Sequence, residues 1–232
     1  MFLVAALLVG LDAGSSALGN EIVATDYPPF MIKNGEKPGF SLEILKAAEK
    51  RIGRDSRVTF LPFKRMLKTL QRRKDVLNPA LYRTPERENK FIWVAKYRTF
   101  NNVFLTVGPP VDSLEQAKTL RKIGVEAGIA MDLRLTRWGF TNLERADRAE
   151  INARKLAAGR IDAWALTDVL AQWIWKRVGS GKPLTIGRPF HSSDCYVVAG
   201  PDFPVEEARL YRDAINQMLK DGTIEAILRK YR

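Results

Sequence analysis

One cysteine and one histidine are all that 232 residues supply of the side chains on which most metal sites and nucleophilic dyads depend. Cys195 has no second cysteine to pair with, so no disulfide within the chain is expected. A Cys/His zinc site would need about four ligands, and a histidine-based dyad or triad has only His191 to use. Acidic side chains are also in short supply. Lys and Arg number 38 against 26 Asp and Glu, a formal charge of +12. Such an excess admits a nucleic-acid or anionic partner. The basic residues are nevertheless spread from Lys33 to Arg232, and their densest cluster, Lys64 to Lys74, falls on the outer face of an amphipathic helix without interleaved aromatics. No nucleic-acid partner is expected from that distribution. Low-complexity segments and short-period repeats are missing as well. What is present is ordinary globular material: 46% apolar residues, with six Tyr, eleven Phe and five Trp, enough for a core that needs no disulfides or metals.

The N-terminus carries an apolar run, Phe2 to Leu11. Ten residues fall short of the roughly 20 that span a bilayer but suit the h-region of a signal peptide. Ala17-Leu18-Gly19 fits the small-x-small rule for cleavage, so residues 1–19 are expected to be a signal peptide and the mature protein to start near Asn20 or Glu21. No Lys or Arg precedes the run and Asp12 follows it, which leaves a buried N-terminal strand or helix as the alternative. With no cysteine near the cleavage region, a freely soluble exported protein is expected.

From Glu21 onward short apolar runs alternate with segments of helical period, the grammar of α/β architecture. Glu21–Thr25 reads as a strand closed by Asp26-Tyr27-Pro28-Pro29-Phe30. Phe40 to Ile52 carries one apolar face, with Ser41 placed as an N-cap and Gly53 just past its end. Val58–Leu61 is the next strand, Phe63, Met66, Leu67 and Leu70 mark a second helical face, and Asp75–Leu77 returns as a strand. In parallel sheets of this kind ligands lie beyond the carboxyl ends of the strands.

The second half repeats the pattern: strand 122–126, helix 129–138, short strand 141–144, helix 149–158, strand 160–165 and a Trp- and Ile-rich helix 168–177. Val103–Val107 is expected to carry the chain from the first unit to the second, and Cys195–Ala199 to lie near the return crossing. Helices over 204–219 and 223–231 close the chain. Two similar α/β units point to two lobes.

These residues resemble the family 3 bacterial extracellular solute-binding proteins, which deliver polar amino acids to ABC importers. The landmarks are Thr25-Asp26-Tyr27-Pro28-Pro29-Phe30, Gly39-Phe40-Ser41-Leu42-Glu43-Ile44, Asp75 with Thr84-Pro85-Glu86-Arg87 nine residues on, and Ser113-Leu114-Glu115-Gln116 before Ile123-Gly124-Val125-Glu126-Ala127-Gly128. Ala158-Gly159-Arg160-Ile161-Asp162-Ala163 and Asp221-Gly222-Thr223 leading to Lys230-Tyr231 complete them. Each motif is weak alone; their order and spacing together are specific. The resemblance implies a two-lobed periplasmic-binding-protein fold of type II, each lobe a mixed sheet flanked by helices, with two segments crossing at the hinge. Lobe 1 would be residues 20–99 and 192–232, and lobe 2 residues 102–188.

A zwitterion taken out of water needs a charge-assisted donor for its carboxylate, best a guanidinium, and an anion for its ammonium. Arg87 matches the family position that grips the carboxylate; read without the family, it is a surface Arg between Glu86 and Glu88. Asp168 matches the position that takes the ammonium from the opposite lobe, and it would equally serve as a helix N-cap. Asp26 and Tyr27 match an acidic residue and an aromatic at the cleft mouth, though Asp26 could simply cap the turn. Phe63 matches the aromatic that stacks on the ligand, and its place in the Phe63-Met66-Leu70 stripe also suits a core residue.

Departures from the family pattern are as informative. Asn78-Pro79-Ala80-Leu81-Tyr82-Arg83 stands where small and hydroxyl residues are usual, so Tyr82 is a candidate replacement donor. Gly128-Ile129-Ala130 lacks the hydroxyl usual at the second-lobe helix start, which leaves backbone N–H groups to meet an anion. A basic cleft holding Arg83 and Arg87 would favour neutral or acidic ligands over arginine or lysine, while Asp26 and Asp168 act the other way. The expectation is a monomeric periplasmic binder without cofactor, metal or catalysis, docking on an ABC transporter permease. The alternatives are a periplasmic dehydratase of the cyclohexadienyl dehydratase type, with Glu126 a candidate acid/base, and a ligand-sensing module for a signalling partner.

Overall fold

The computed structural model describes residues 20–178 and 181–231; the expected signal peptide and its cleavage site lie outside the described residues. The chain begins β1 (Glu21–Ala24), α1 (Phe40–Arg51), β2 (Val58–Phe60), α2 (Phe63–Arg72) and β3 (Val76–Tyr82). β1 pairs in parallel with both β2 and β3. A 3₁₀ turn, Pro85–Lys90, leads into the 15-residue strand β4 (Ile92–Thr106). After α3 (Leu114–Lys118) come β5 (Ile123–Glu126), α4 (Ala130–Arg137), β6 (Leu143–Ala146), α5 (Ala149–Ala157), β7 (Ala163–Thr167) and α6 (Asp168–Val178). β8 (Thr185–Ile186), β9 (His191–Ala199), α7 (Val205–Lys220) and α8 (Thr223–Arg229) complete the order.

The strands run β2-β1-β3-β9-β4-β7-β5-β6, with β8 on the side of β4. β5 pairs in parallel with β6 and β7. Two parallel units are therefore joined through β4 and β9, long antiparallel partners that both cross from one lobe to the other. The two-lobed mixed α/β architecture anticipated from the sequence is the architecture found.

Local chemistry fixes the elements beside the cleft. α1 buries Phe40, Ile44, Leu45 and Ala48 on one face. Its entry is set by Gly39 at φ 94°, where an added Cβ would lie 2.5 Å from the Phe30 carbonyl oxygen; only glycine meets both conditions. The backbone of Gly39 thus lies directly against Phe30, and the neighbouring turn, in which Tyr27 and Met31 form an isolated bridge, is held against the helix start. Phe30, Phe40 and Phe100 pack with centroids 4.6–5.9 Å apart. Each such ring contributes roughly 1.5–3 kcal/mol by burial. Trp164 and Tyr211 are the largest of the fully buried side chains.

Several boundaries differ from the sequence reading. Ser41 is not the N-cap of α1: Gly39 holds that place, and the buried Ser41 hydroxyl is 2.7 Å from the Tyr97 hydroxyl instead. The crossing strand starts at Ile92, not Val103, because register shifts at Trp93/Ala95 and Lys96/Arg98 break the apolar alternation that would have disclosed its first half. β6 and β7 each begin two to three residues later than expected, and Asp162 precedes β7 rather than lying in it.

Candidate functional site

A cleft of about 800 Å³ opens between the lobes. One wall comes from the turn after β1, the start of α2 and the end of β3. The other comes from the β5–α4 turn, the start of α5 and the end of β7, and the crossing strands give the floor. Seven of the eight residues singled out in the sequence line it: Asp26, Tyr27, Phe63, Tyr82, Arg87, Gly128 and Ala130.

Arg87 is the central group. The 3₁₀ turn carries it inward until only 9% of it is exposed, and loss of water lowers its guanidinium to about 10. Its Nη1 donates to the Tyr82 carbonyl at 3.2 Å, and the guanidinium lies 5.5 Å over the Phe63 ring. Among the described residues it has no carboxylate partner. A buried cation without a counter-charge is costly, and the carboxylate of a small ligand would remove that cost. Phe63 therefore both faces the cleft and supports Arg87, while also packing on the cluster of Met66, Leu70 and Phe91.

Tyr82 spans the lobes. Its hydroxyl is 3.3 Å from Thr167 Oγ1, Thr167 donates to Asn102 Oδ1 at 3.5 Å, and Asn102 donates to Ser193 Oγ at 2.7 Å. Arg134 Nη1 donates to the same Ser193 Oγ at 3.3 Å. Asn102 belongs to β4 and Ser193 to β9, so this polar chain runs across the hinge between Tyr82 on one lobe and Arg134 on the other. Burial holds the Arg134 guanidinium below its ordinary range, and among the described residues it too has no ion-pair partner.

Gly128, at φ 74°, turns the chain between β5 and α4. Its N–H donates to Asp132 Oδ2 at 2.9 Å, and Arg145 in turn holds Asp132 at 2.9 Å. Ala130 opens α4, and no side chain caps that end. Asp26 is exposed, and its Oδ1 accepts the Lys33 backbone N–H at 3.0 Å, which is the turn-capping role. Tyr27 faces Glu126 across the cleft; burial and that carboxylate raise its phenol well above the usual range.

Two sequence expectations differ from the structure. Asp168 is not among the cleft-lining residues. Thr167, the last residue of β7, lines the cleft, whereas Asp168 opens α6 and its carboxylate accepts the Val169 N–H at 2.7 Å. Arg83 is also outside: it pairs with Glu88 and stands 5.5 Å over the rings of Trp93 and Tyr196. Two groups fill the places that the sequence reading gave to them. Arg134 supplies the second guanidinium, and Glu126, at the end of β5, supplies the buried carboxylate. Burial and the neighbouring Glu150 raise Glu126 to about 7, against the pull of Arg148 and a hydrogen bond from the Ala149 backbone. Its Oε2 is buried and has no hydrogen-bond partner. Among the described residues no group of three or more His, Cys, Asp or Glu is placed to hold a metal ion. None of the described helices is long and apolar enough to cross a membrane.

The sequence matches the profile of the bacterial extracellular solute-binding proteins, family 3, over residues 22–232. It is 28% identical over 178 residues to the arginine-binding extracellular protein ArtP of Bacillus subtilis, covering 70% of this chain and 69% of that one. An ancestral arginine-binding protein bound to glutamine superposes with a TM-score of 0.74 at 26% identity, over 92% of this chain and 97% of the other. A histidine kinase sensor domain similar to periplasmic binding proteins shares the fold with a TM-score of 0.81 at 18% identity, over 92% and 96% of the two chains. The chain belongs to the family 3 bacterial extracellular solute-binding proteins.

Proposed function

We propose that this family 3 protein captures a small amino acid in the periplasm, closes its two lobes around it, and delivers it to the permease of an ABC importer. The observation that carries the reading is Arg87: a buried guanidinium without a carboxylate partner among the described residues, lining a cleft that the opposite lobe completes. A ligand bridging the lobes favours the closed form by its contacts with both of them. Residues 20–99 and 192–232 would move as one lobe and 102–188 as the other, bending where Asn101 and Asn102 of β4 pair with Ser192 and His191 of β9. Export through a signal peptide at residues 1–19 and action as a monomer belong to the same proposal.

The test is thermal denaturation of the mature protein against a panel of amino acids. A true ligand at about 100 times its Kd adds roughly 2.7 kcal/mol of stability. A panel that leaves the melting temperature unmoved contradicts the reading.

One observation favours a second reading. Glu126, near 7 and with its buried Oε2 unpartnered in the cleft, has the character of a general acid or base, as a dehydratase of the cyclohexadienyl type would need. Turnover of prephenate or arogenate by the purified protein, abolished in Glu126→Gln, would establish it. Capture without chemistry is the preferred reading, because among the described residues no fully buried carboxylate and no histidine lines the cleft to share a proton-transfer cycle with Glu126.

A further inference from the structure

The charged groups inside the cleft set a condition on the ligand. Arg87 enters from the first lobe and Arg134 from α4 of the second, and neither has a carboxylate partner among the described residues. Glu126 is a carboxylate on the second lobe with a buried, unpartnered oxygen. Of the other charges lining the cleft, Glu86 pairs with Arg137 and Arg148 with Glu150 at 3.6 Å, while Asp26, Lys64, Lys68, Lys90 and Asp147 are exposed to water. With Glu126 ionised, the interior holds two cations and one anion, an excess of one positive charge. A ligand with two carboxylates and one ammonium carries one net negative charge and the same three groups with signs reversed.

We propose that the solute is an acidic amino acid, its α-carboxylate on Arg87, its side-chain carboxylate on Arg134 and its ammonium on Glu126. This rests on the binding reading above and names the class of solute for it. The arrangement gives Arg134 the specificity-determining role, because Tyr82, Thr167, Asn102 and Ser193 hold its guanidinium on the floor of the cleft through the hinge. A cationic amino acid would instead put a third positive charge into a partly desolvated space, where like charges repel strongly. A ligand without the amino group would leave Glu126 unpartnered.

The test is titration calorimetry of the mature protein at neutral pH with L-glutamate, L-aspartate, L-glutamine, L-arginine and glutarate. Glutamate or aspartate is expected to bind at least tenfold more tightly than glutamine, arginine or glutarate. In Arg134→Leu, affinity for the acidic ligand should fall about 30-fold or more while glutamine binding changes less than about threefold; a merely structural role for Arg134 would weaken both alike. In Glu126→Gln the advantage of glutamate over glutarate should vanish. Tighter binding of arginine or glutamine than of glutamate, or an equal loss for both ligands in Arg134→Leu, overturns the assignment while leaving the binding function in place. If no amino acid on the panel binds, the binding reading and this assignment fall together.

Discussion

Glu86 and Arg137 form an ion pair that joins the 3₁₀ turn of one lobe to the end of α4 on the other. Both side chains are about half exposed, so the pair contributes little in water, on the order of 0.2–1 kcal/mol. It does so only when the lobes are together. Glu86→Gln is therefore expected to raise the ligand dissociation rate about two- to fivefold with little change in association, and high salt should reproduce the effect in the parent protein. Stopped-flow displacement measures both. An unchanged dissociation rate would remove the pair from the closed-state contacts.

On the proposed function, the buried Arg87 charge serves a ligand at the expense of the empty protein. Replacing an uncompensated buried charge by an apolar side chain of similar volume is often stabilising. Arg87→Met should thus keep or raise the melting temperature of the ligand-free protein, by about 1–2 kcal/mol or roughly 2–8 °C, while abolishing the ligand-induced shift. A large loss of stability would instead mark Arg87 as a structural residue.

Glu126 makes stability depend on pH in an unusual direction. Its carboxyl titrates near 7 in the folded protein and near 4.5 when unfolded, so between these values the folded state holds the extra proton. Stability from this group is complete below about 4.5 and is lost as pH rises through about 7, by on the order of 1–3 kcal/mol. The groups facing it are Glu150, Arg148, Tyr27 and the Ala149 backbone. Melting curves of the ligand-free protein should show the decline, and Glu126→Gln should flatten it. A parallel slope in the variant would assign the effect elsewhere.

Much of the fold was legible because its units are short and regular: β1 through β3 follow period-two and period-3.6 patterns bounded by Gly39 and Gly53. The first half of β4 was not, since two bulges within Trp93 to Arg98 destroy the alternation. The site divided in the same way. Arg87 and Phe63 stand in local motifs, whereas Arg134 is one basic residue among 38 and acquires meaning only when the fold brings its guanidinium to Ser193 of β9. Glu126 carried a weak signal, a carboxylate ending a strand just before a glycine turn. Asp168 reads in the sequence as either a ligand group or a helix cap, and its carboxylate accepts the Val169 N–H at the start of α6, a choice that only the packing of α6 decides.

Gly39→Ala should be costly although Gly39 itself does not line the cleft. The new Cβ meets the Phe30 carbonyl, and the residue must also hold φ 94°. A loss of roughly 3 kcal/mol, about 6–12 °C in melting temperature, is expected, measured by calorimetry. A loss below about 1 kcal/mol would mean that the Tyr27–Phe30 turn relaxes freely.

Cys195 should be inert in the folded protein. Burial pushes its thiol to about 12, and the Tyr97 hydroxyl lies 3.1 Å from its sulfur. A thiol-specific chromogenic reagent should therefore label it only after denaturation. Labelling at the rate of an exposed cysteine would show that the β4–β9 crossing opens readily.

The central claim is that a carboxylate-bearing solute is held between the lobes by Arg87. The most direct measurement is paired calorimetric titration of the parent protein and Arg87→Met with the amino acid that most raises the parent's melting temperature. One-to-one binding by the parent, lost at least a hundredfold in a variant that melts no lower, is the result predicted. Equal affinity in the two proteins would contradict it.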